Sequence, residues 1–235
     1  MRPNRILIIQ TAFIGDVVLA MLLSRQMCSF SPKVAIDFLV RKANECLLAE
    51  DARIQNILIL DKKEKIKNLF KRIREVRKVY LDVIIDVQRV CSMSLLTLLA
   101  HAKVKIRFDK NSSSRSFDPT IAHSLADQVH EVDSNLKLLT SLTTVANLKL
   151  ESQVSKATFD SNEKHKETPY LTAAAASEWK NKQLPAHKWI AFMEAIESQI
   201  TVYMTVGSDN KKRGDEILQQ ISVKSLVTRM PERFY

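Results

Sequence analysis

"RILIIQTAFIGDVVLAMLLSRQM", residues 5–27, decides how the rest of the chain is read. Its first six residues form a short apolar run, the pattern of a strand buried on both faces of a parallel sheet. From Asp16 onward the period becomes helical, with Val17, Met21 and Leu22 and then Arg25 and Gln26 recurring at helical spacing. The join is a strand-to-helix turn, "QTAFIGD", in a chain that has only three glycines, one of them Gly15. Such a turn opens the edge of an α/β sheet where ligands bind.

The same alternation recurs downstream. Strands are predicted at residues 33–40, 54–61, 80–88 and 103–109, and helices at 45–51, 62–78, 92–102 and 124–143. No hairpin signal separates them, so the fold class is α/β, a doubly wound parallel sheet. Residues 109–120, "DKNSSSRSFDPT", read as a loop at the carboxyl end of the fifth strand. Residues 150–168 are polar and weakly periodic and read as a linker between a first domain, 1–149, and a second, 169–235. In the second, βα alternation restarts with strands in "YLTAAAA", "ITVYMTV" and "VKSLVTR" around the helices "AHKWIAFMEAIES" and "DNKKRGDEILQQI". Three strands are few for a complete Rossmann-like domain, so the second domain is expected to be cut short.

Composition narrows the class. The chain is 46% hydrophobic and 26% charged, ordinary for a protein that forms a core. Cys28, Cys46 and Cys91 show no metal-ligand or redox spacing and are expected to be reduced core residues. The five histidines show no ligand spacing either, so no metal site is expected. Neither a signal peptide nor a membrane-spanning run is visible, which points to the cytoplasm.

The net charge is +10, and residues 62–78 alone carry nine Lys/Arg against two Glu. Ile66, Leu69, Phe70 and Ile73 fall on one side of that helix. It reads either as a solvated outer helix or as a face for anionic lipid headgroups. Nucleic acid is disfavoured, because the stretch has a single aromatic and no known motif.

Two roles compete for Asp16. As an N-cap it would satisfy free N–H groups and the helix dipole. As a general base it would take a proton from an incoming hydroxyl. Gly15 would serve a close backbone approach or a positive φ. The turn lacks the three glycines of a dinucleotide fingerprint.

The order of "RILIIQTAFIGDVVLAMLLSRQM", "IDFLVRK", "NILILDK", "DVIIDVQRVCSMSLLTLLAHAKVKIRFDK" and "HEVDSNLKLL" resembles the bacterial heptosyltransferases of glycosyltransferase family 9. "SEWKNKQLPAHKWIAFMEAI" and "VYMTVGSDNKKRGDEI" extend the resemblance into the second domain. It implies a GT-B fold of two Rossmann-like domains. It also implies inverting transfer of a heptose from ADP-heptose to the lipopolysaccharide inner core, on a lipid A-Kdo acceptor, without metal or cofactor. The resemblance makes Asp16 the base and places Lys182, Ser177 and Asp209 at the donor. Thr11, Gly15, Arg41, Lys42 and Arg89 line the acceptor side.

The implied enzyme is a monomer on the inner face of the inner membrane of a Gram-negative-type bacterium, with no nucleic-acid partner. Three departures stand out. "GSDNKK" keeps one Gly where the family has two, Leu184 stands for the family's Trp, and its "DTGLSH"-like segment would lie beyond residue 235. The alternative is an inactive, truncated relative that only binds anionic glycolipid or membrane.

Overall fold

The structure, a computed structural model, describes residues 2–42, 44–61, 65–88, 91–109, 120–121, 129–143, 169–175, 177, 180–196, 200–205, 211–221 and 227–229. The chain divides into two compact units, Met1–Gln153 and Val154–Tyr235.

The first unit holds six parallel strands: β1 (Arg5–Gln10), β2 (Ala35–Arg41), β3 (Ile54–Leu60), β4 (Leu81–Asp86), β5 (Ala102–Phe108) and β6 (Thr120–Ile121). Their order across the sheet is β3-β2-β1-β4-β5-β6. Ile8 of β1 sits between Phe38 of β2 and Ile85 of β4 in the register, so the centre of the sheet is apolar across strands as well as along them.

Alternate residues feed two cores. Ile6 and Ile8 pack beneath α1 (Ile14–Phe30) and α4 (Glu131–Lys137), against Val17, Ala20, Leu23, Leu136 and Leu139. Leu7 and Ile9 face α2 (Lys65–Arg77) and α3 (Cys91–Leu99), against Ile73, Val76, Met93 and Leu96. Helices on both faces explain why the strands read as continuous apolar runs rather than alternating ones.

The amino edge of this sheet is closed by ion pairs. Arg5 Nε meets Asp37 Oδ2 at 2.9 Å, and Asn56 Nδ2 donates to Asp37 Oδ1 at 2.7 Å. Asp82 accepts from the backbone N–H groups of Asn4 and Arg5 and pairs with Lys103 at 2.8 Å. The Lys103 ammonium holds the Asp82 carboxyl below the usual carboxylate range, with the two backbone bonds adding to it against the cost of burial.

The second unit has a parallel sheet in the order β7-β8-β9, with β7 (Tyr170–Ala174), β8 (Thr201–Thr205) and β9 (Val227–Arg229). Its helices are α5 (Ala186–Ala195) and α6 (Lys211–Gln220). Ala173, Met193, Val202, Met204 and Ile217 form a separate core, with Trp189 packed against it.

Several expectations change. Thr120, read as the end of a loop, opens β6 and pairs with Arg107 of β5. The helix expected over 124–143 is described only as Glu131–Lys137, capped by His130, followed by turns through Leu142. His130 Nδ1 accepts from Val132 N and ends the helix on its amino side, while residues 124–128 lie outside the described residues. The expected linker, 150–168, also lies outside them.

None of the three cysteines is in a disulfide, but Cys46 and Cys91 are exposed rather than core residues. Cys46 sits in a single 3₁₀ turn and Cys91 opens α3, both on outward sides. Among the described residues no helix is long and apolar enough to cross a membrane.

Candidate active site

The strand order reverses direction between β1 and β4, and α/β sheets bind ligands at such a switch point, outside the carboxyl ends of the strands. Side chains there are joined in a chain. Thr11, just past β1, donates its backbone N–H to Gln88 Oε1 at 2.7 Å, and its hydroxyl bonds the same oxygen. Gln88, just past β4, donates its own N–H to Asp86 Oδ1 at 3.1 Å. Asp86 Oδ2 lies 3.6 Å from Arg107 Nη2, with both side chains fully buried, and Arg107 Nη2 donates to Ser94 Oγ at 2.6 Å. Burial pushes the Asp86 carboxyl up to about 7, against the pull of the Arg107 guanidinium and the Gln88 N–H. Burial likewise lowers Arg107, opposed by Asp86.

The β1–α1 turn is held from the other side as well. Asn44, buried after β2, donates its Nδ2 to Ala12 O at 3.0 Å. Thr11 and Ala12 are therefore fixed by groups from two neighbouring strand ends. Helix α1 begins at Ile14, with Phe13 at its N-cap position. This corrects the capping role considered for Asp16. Asp16 is the third residue of the helix, and its Oδ2 accepts from Phe13 N at 3.0 Å. That is one half of a capping box; a phenylalanine side chain offers no acceptor for the other half.

Asp16 is half-buried, at the positive end of the helix dipole, and its Oδ1 accepts no hydrogen bond from any described residue. Gly15 also departs from expectation. It lies inside the first helical turn without a positive φ, and a Cβ there would meet nothing within 4 Å. The backbone does not require glycine; the space beside it is open.

Arg41, the last residue of β2, places its guanidinium over the Phe13 ring at 5.4 Å and pairs with no carboxylate among the described residues. Lys42 is offset by Asp61 at 3.3 Å. The structure thus brings Thr11, Gly15, Asp16, Arg41 and Lys42 to one edge. Arg89, placed there by the sequence, lies outside the described residues. Asp86, Gln88, Asn44 and Arg107 were missed. The available signal was an acid and an amide, "DVQ", at the end of the fourth strand, with Ser94 and Thr97 one helical turn apart on α3.

In the second unit, Ser177 follows β7 and its carbonyl accepts from Gln183 Nε2. Lys182 is exposed in the 3₁₀ turn Lys180–Lys182 and pairs with no carboxylate among the described residues. Arg213 of α6 donates to Leu184 O at 2.6 Å, which anchors this turn. Gln183, next to Lys182 in the chain, thus ties this turn to Ser177 just past β7; Asp209 lies outside the described residues. Among the described residues no group of three or more His, Cys, Asp or Glu is placed to hold a metal ion.

Two units, each built on a parallel sheet, place the chain in the GT-B fold class. The sequence pattern of glycosyltransferase family 9 (heptosyltransferase) matches residues 69–229, and the chain belongs to that family.

Solved structures agree in fold. The glycosyl transferase family 9 protein from Veillonella parvula DSM 2008 is 16% identical, with 96% of this chain and 69% of that one covered and a TM-score of 0.76. The E. coli heptosyltransferase WaaC with ADP is 17% identical, over 97% of this chain and 75% of that one, at a TM-score of 0.69. E. coli ADP-heptose lps heptosyltransferase II is 14% identical, over 96% and 72%, at 0.74. No curated protein matches the chain.

Proposed function

We propose that this glycosyltransferase moves a heptose from ADP-heptose to the lipopolysaccharide inner core, on a lipid A-Kdo acceptor, with inversion at the anomeric carbon. The acceptor hydroxyl gives its proton to Asp16 and attacks that carbon as ADP leaves. Lys182, with Ser177 and Asp209 on the same unit, offsets the charge of the departing diphosphate. Arg41 and Lys42 meet the phosphates and carboxylates of the acceptor, and neither a metal nor a cofactor takes part. The enzyme works as a monomer at the inner face of the inner membrane.

The observation that carries this reading is the Asp16 Oδ1 at the switch point, which accepts from no described residue, on the same edge as Arg41, which no described carboxylate neutralises. The neighbours add support, since one was solved with ADP and another is an ADP-heptose enzyme by description.

The test is ADP release from ADP-heptose with and without a Kdo-bearing acceptor, with UDP-glucose as the competing donor. Acceptor-dependent release confined to ADP-heptose supports the reading. Equal turnover by the Asp16→Asn variant, or preference for UDP-glucose, overturns it.

A further inference from the structure

Helices α2 and α3 lie side by side on one face of the first sheet and share a core. Their outward sides differ. On α2, Lys67, Phe70, Lys71 and Arg74, with Lys78 just past its end, form one stripe around a shallow groove, with Phe70 50% exposed among the four cations. Glu75 at the rim is engaged by Arg72, and none of the four cations pairs with a carboxylate among the described residues. On α3, which carries no charge at all, Leu95, Leu98 and Leu99 fall at helical spacing and are 40%, 44% and 36% exposed. Beneath its last turn, Lys105 Nζ donates to Leu98 O at 2.8 Å.

A solvated outer helix explains cations, but not three leucines facing water beside them. A polyanion such as RNA would use the cations and leave the leucines bare. A bilayer with anionic headgroups matches both: phosphates against α2, and the acyl boundary against Phe70 and the α3 leucines. We infer that the α2–α3 face is the surface by which this enzyme docks on an anionic lipid bilayer. α2 and α3 follow β3 and β4, so both start at the carboxyl edge where Thr11 and Gln88 meet. A substrate borne by lipid reaches that edge without leaving the membrane. The inference rests on the proposed reaction only for the identity of that lipid. Vesicle binding is read without any sugar, so its failure and the failure of the transfer reaction are separate results.

The test is co-sedimentation of the full chain with phosphatidylcholine vesicles, with and without about 30% phosphatidylglycerol. Binding is expected only with the anionic lipid, weakening steeply at high salt. Lys67→Glu/Lys71→Glu/Arg74→Glu should lower partitioning by at least about 100-fold, since each cation near the surface contributes roughly fivefold. Leu95→Ser/Leu98→Ser should lower it by about tenfold at unchanged charge. Lys33→Glu/Lys188→Glu/Lys212→Glu makes the same charge change elsewhere and should stay within about threefold of wild type. Thermal midpoints of these surface variants check that each is folded. The proposal is overturned if this control loses as much binding as the α2 triple, or if the leucine variant binds like wild type. Binding to an RNA homopolymer that is equally tight and insensitive to the leucines would make the face a nucleic-acid surface instead.

Discussion

The two ends of the first sheet are both rich in charge, and they use it differently. At the amino edge, Asp37 and Asp82 each bind several partners, from the Arg5 and Asn56 side chains to the backbone of Asn4 and Arg5 and the Lys103 ammonium. Every group named there answers another, and the result is a clamp on strand register. At the carboxyl edge the bonding lies deeper, in Arg107, Asp86, Gln88 and Thr11, while Asp16 and Arg41 stand above it with capacity left over. One end is saturated and stabilises; the other is supported from below and stays reactive.

The sharpest way to break this contrast is Asp16→Asn. It should lower kcat by about 1,000-fold, within the range for removing a general base. The thermal midpoint should hardly move, because the asparagine oxygen can still accept from Phe13 N. Steady-state ADP release and a melting curve on the same sample give both numbers. A large loss of stability with little loss of rate would mean the carboxyl edge is built like the amino edge.

Asp86→Ala comes next and acts from below. It leaves the fully buried Arg107 guanidinium without its counterion, which costs about 3–5 kcal/mol in denaturant unfolding. The pH dependence follows from the same group. Asp86 has its pKa raised to about 7 in the folded state. Between about pH 4 and 7 the folded protein therefore holds a proton that the unfolded chain has released. Its share of stability is present at low pH and is lost as pH rises through 7. Asp86→Asn cannot titrate and should remove that slope, which unfolding at a series of pH values will show.

Asp82→Ala tests the other end. Loss of its bonds to Asn4, Arg5 and Lys103 should cost about 1–3 kcal/mol, while kcat per folded molecule stays unchanged. Asp82 is held below the usual carboxylate range, so its stabilisation is present at neutral pH and is lost as pH falls below about 4, opposite in sign to Asp86.

Much of this fold was legible because parallel strands covered on both faces leave a near-continuous apolar signal, as in "ILII" of β1 and "VII" of β4. Helix starts were less legible. Asp16 reads as a cap because caps are commonly acids, whereas the helix admits Ile14 and Gly15 first and turns the acid back on Phe13. The arginine of the buried pair was the least legible residue of the site. Lys103, Lys105 and Arg107 alternate in "KVKIRF" like a solvated strand face, and only Ser94 and Thr97 on α3, packed above the strand, make room for a guanidinium. Gln183, beside Lys182 in the chain, reaches the Ser177 carbonyl, a contact that periodicity does not report.

The smallest expected effect falls on Gly15 and separates two explanations of the turn. If glycine were there for backbone freedom, Gly15→Ala would strain the chain. The observed residue is helical, without a positive φ and with nothing within 4 Å of a would-be Cβ. Alanine should therefore stabilise the protein by about 0.5–1 kcal/mol, the usual gain for this change in a helix. The same methyl group would enter the open space over the first turn of α1, the turn that carries Asp16, so KM for the acceptor should rise while the midpoint of unfolding rises too. A gain in stability with unchanged KM would show that no substrate passes Gly15. A loss of stability would return the glycine to a purely conformational role and make the carboxyl edge, at that residue, as fully committed to structure as the amino edge.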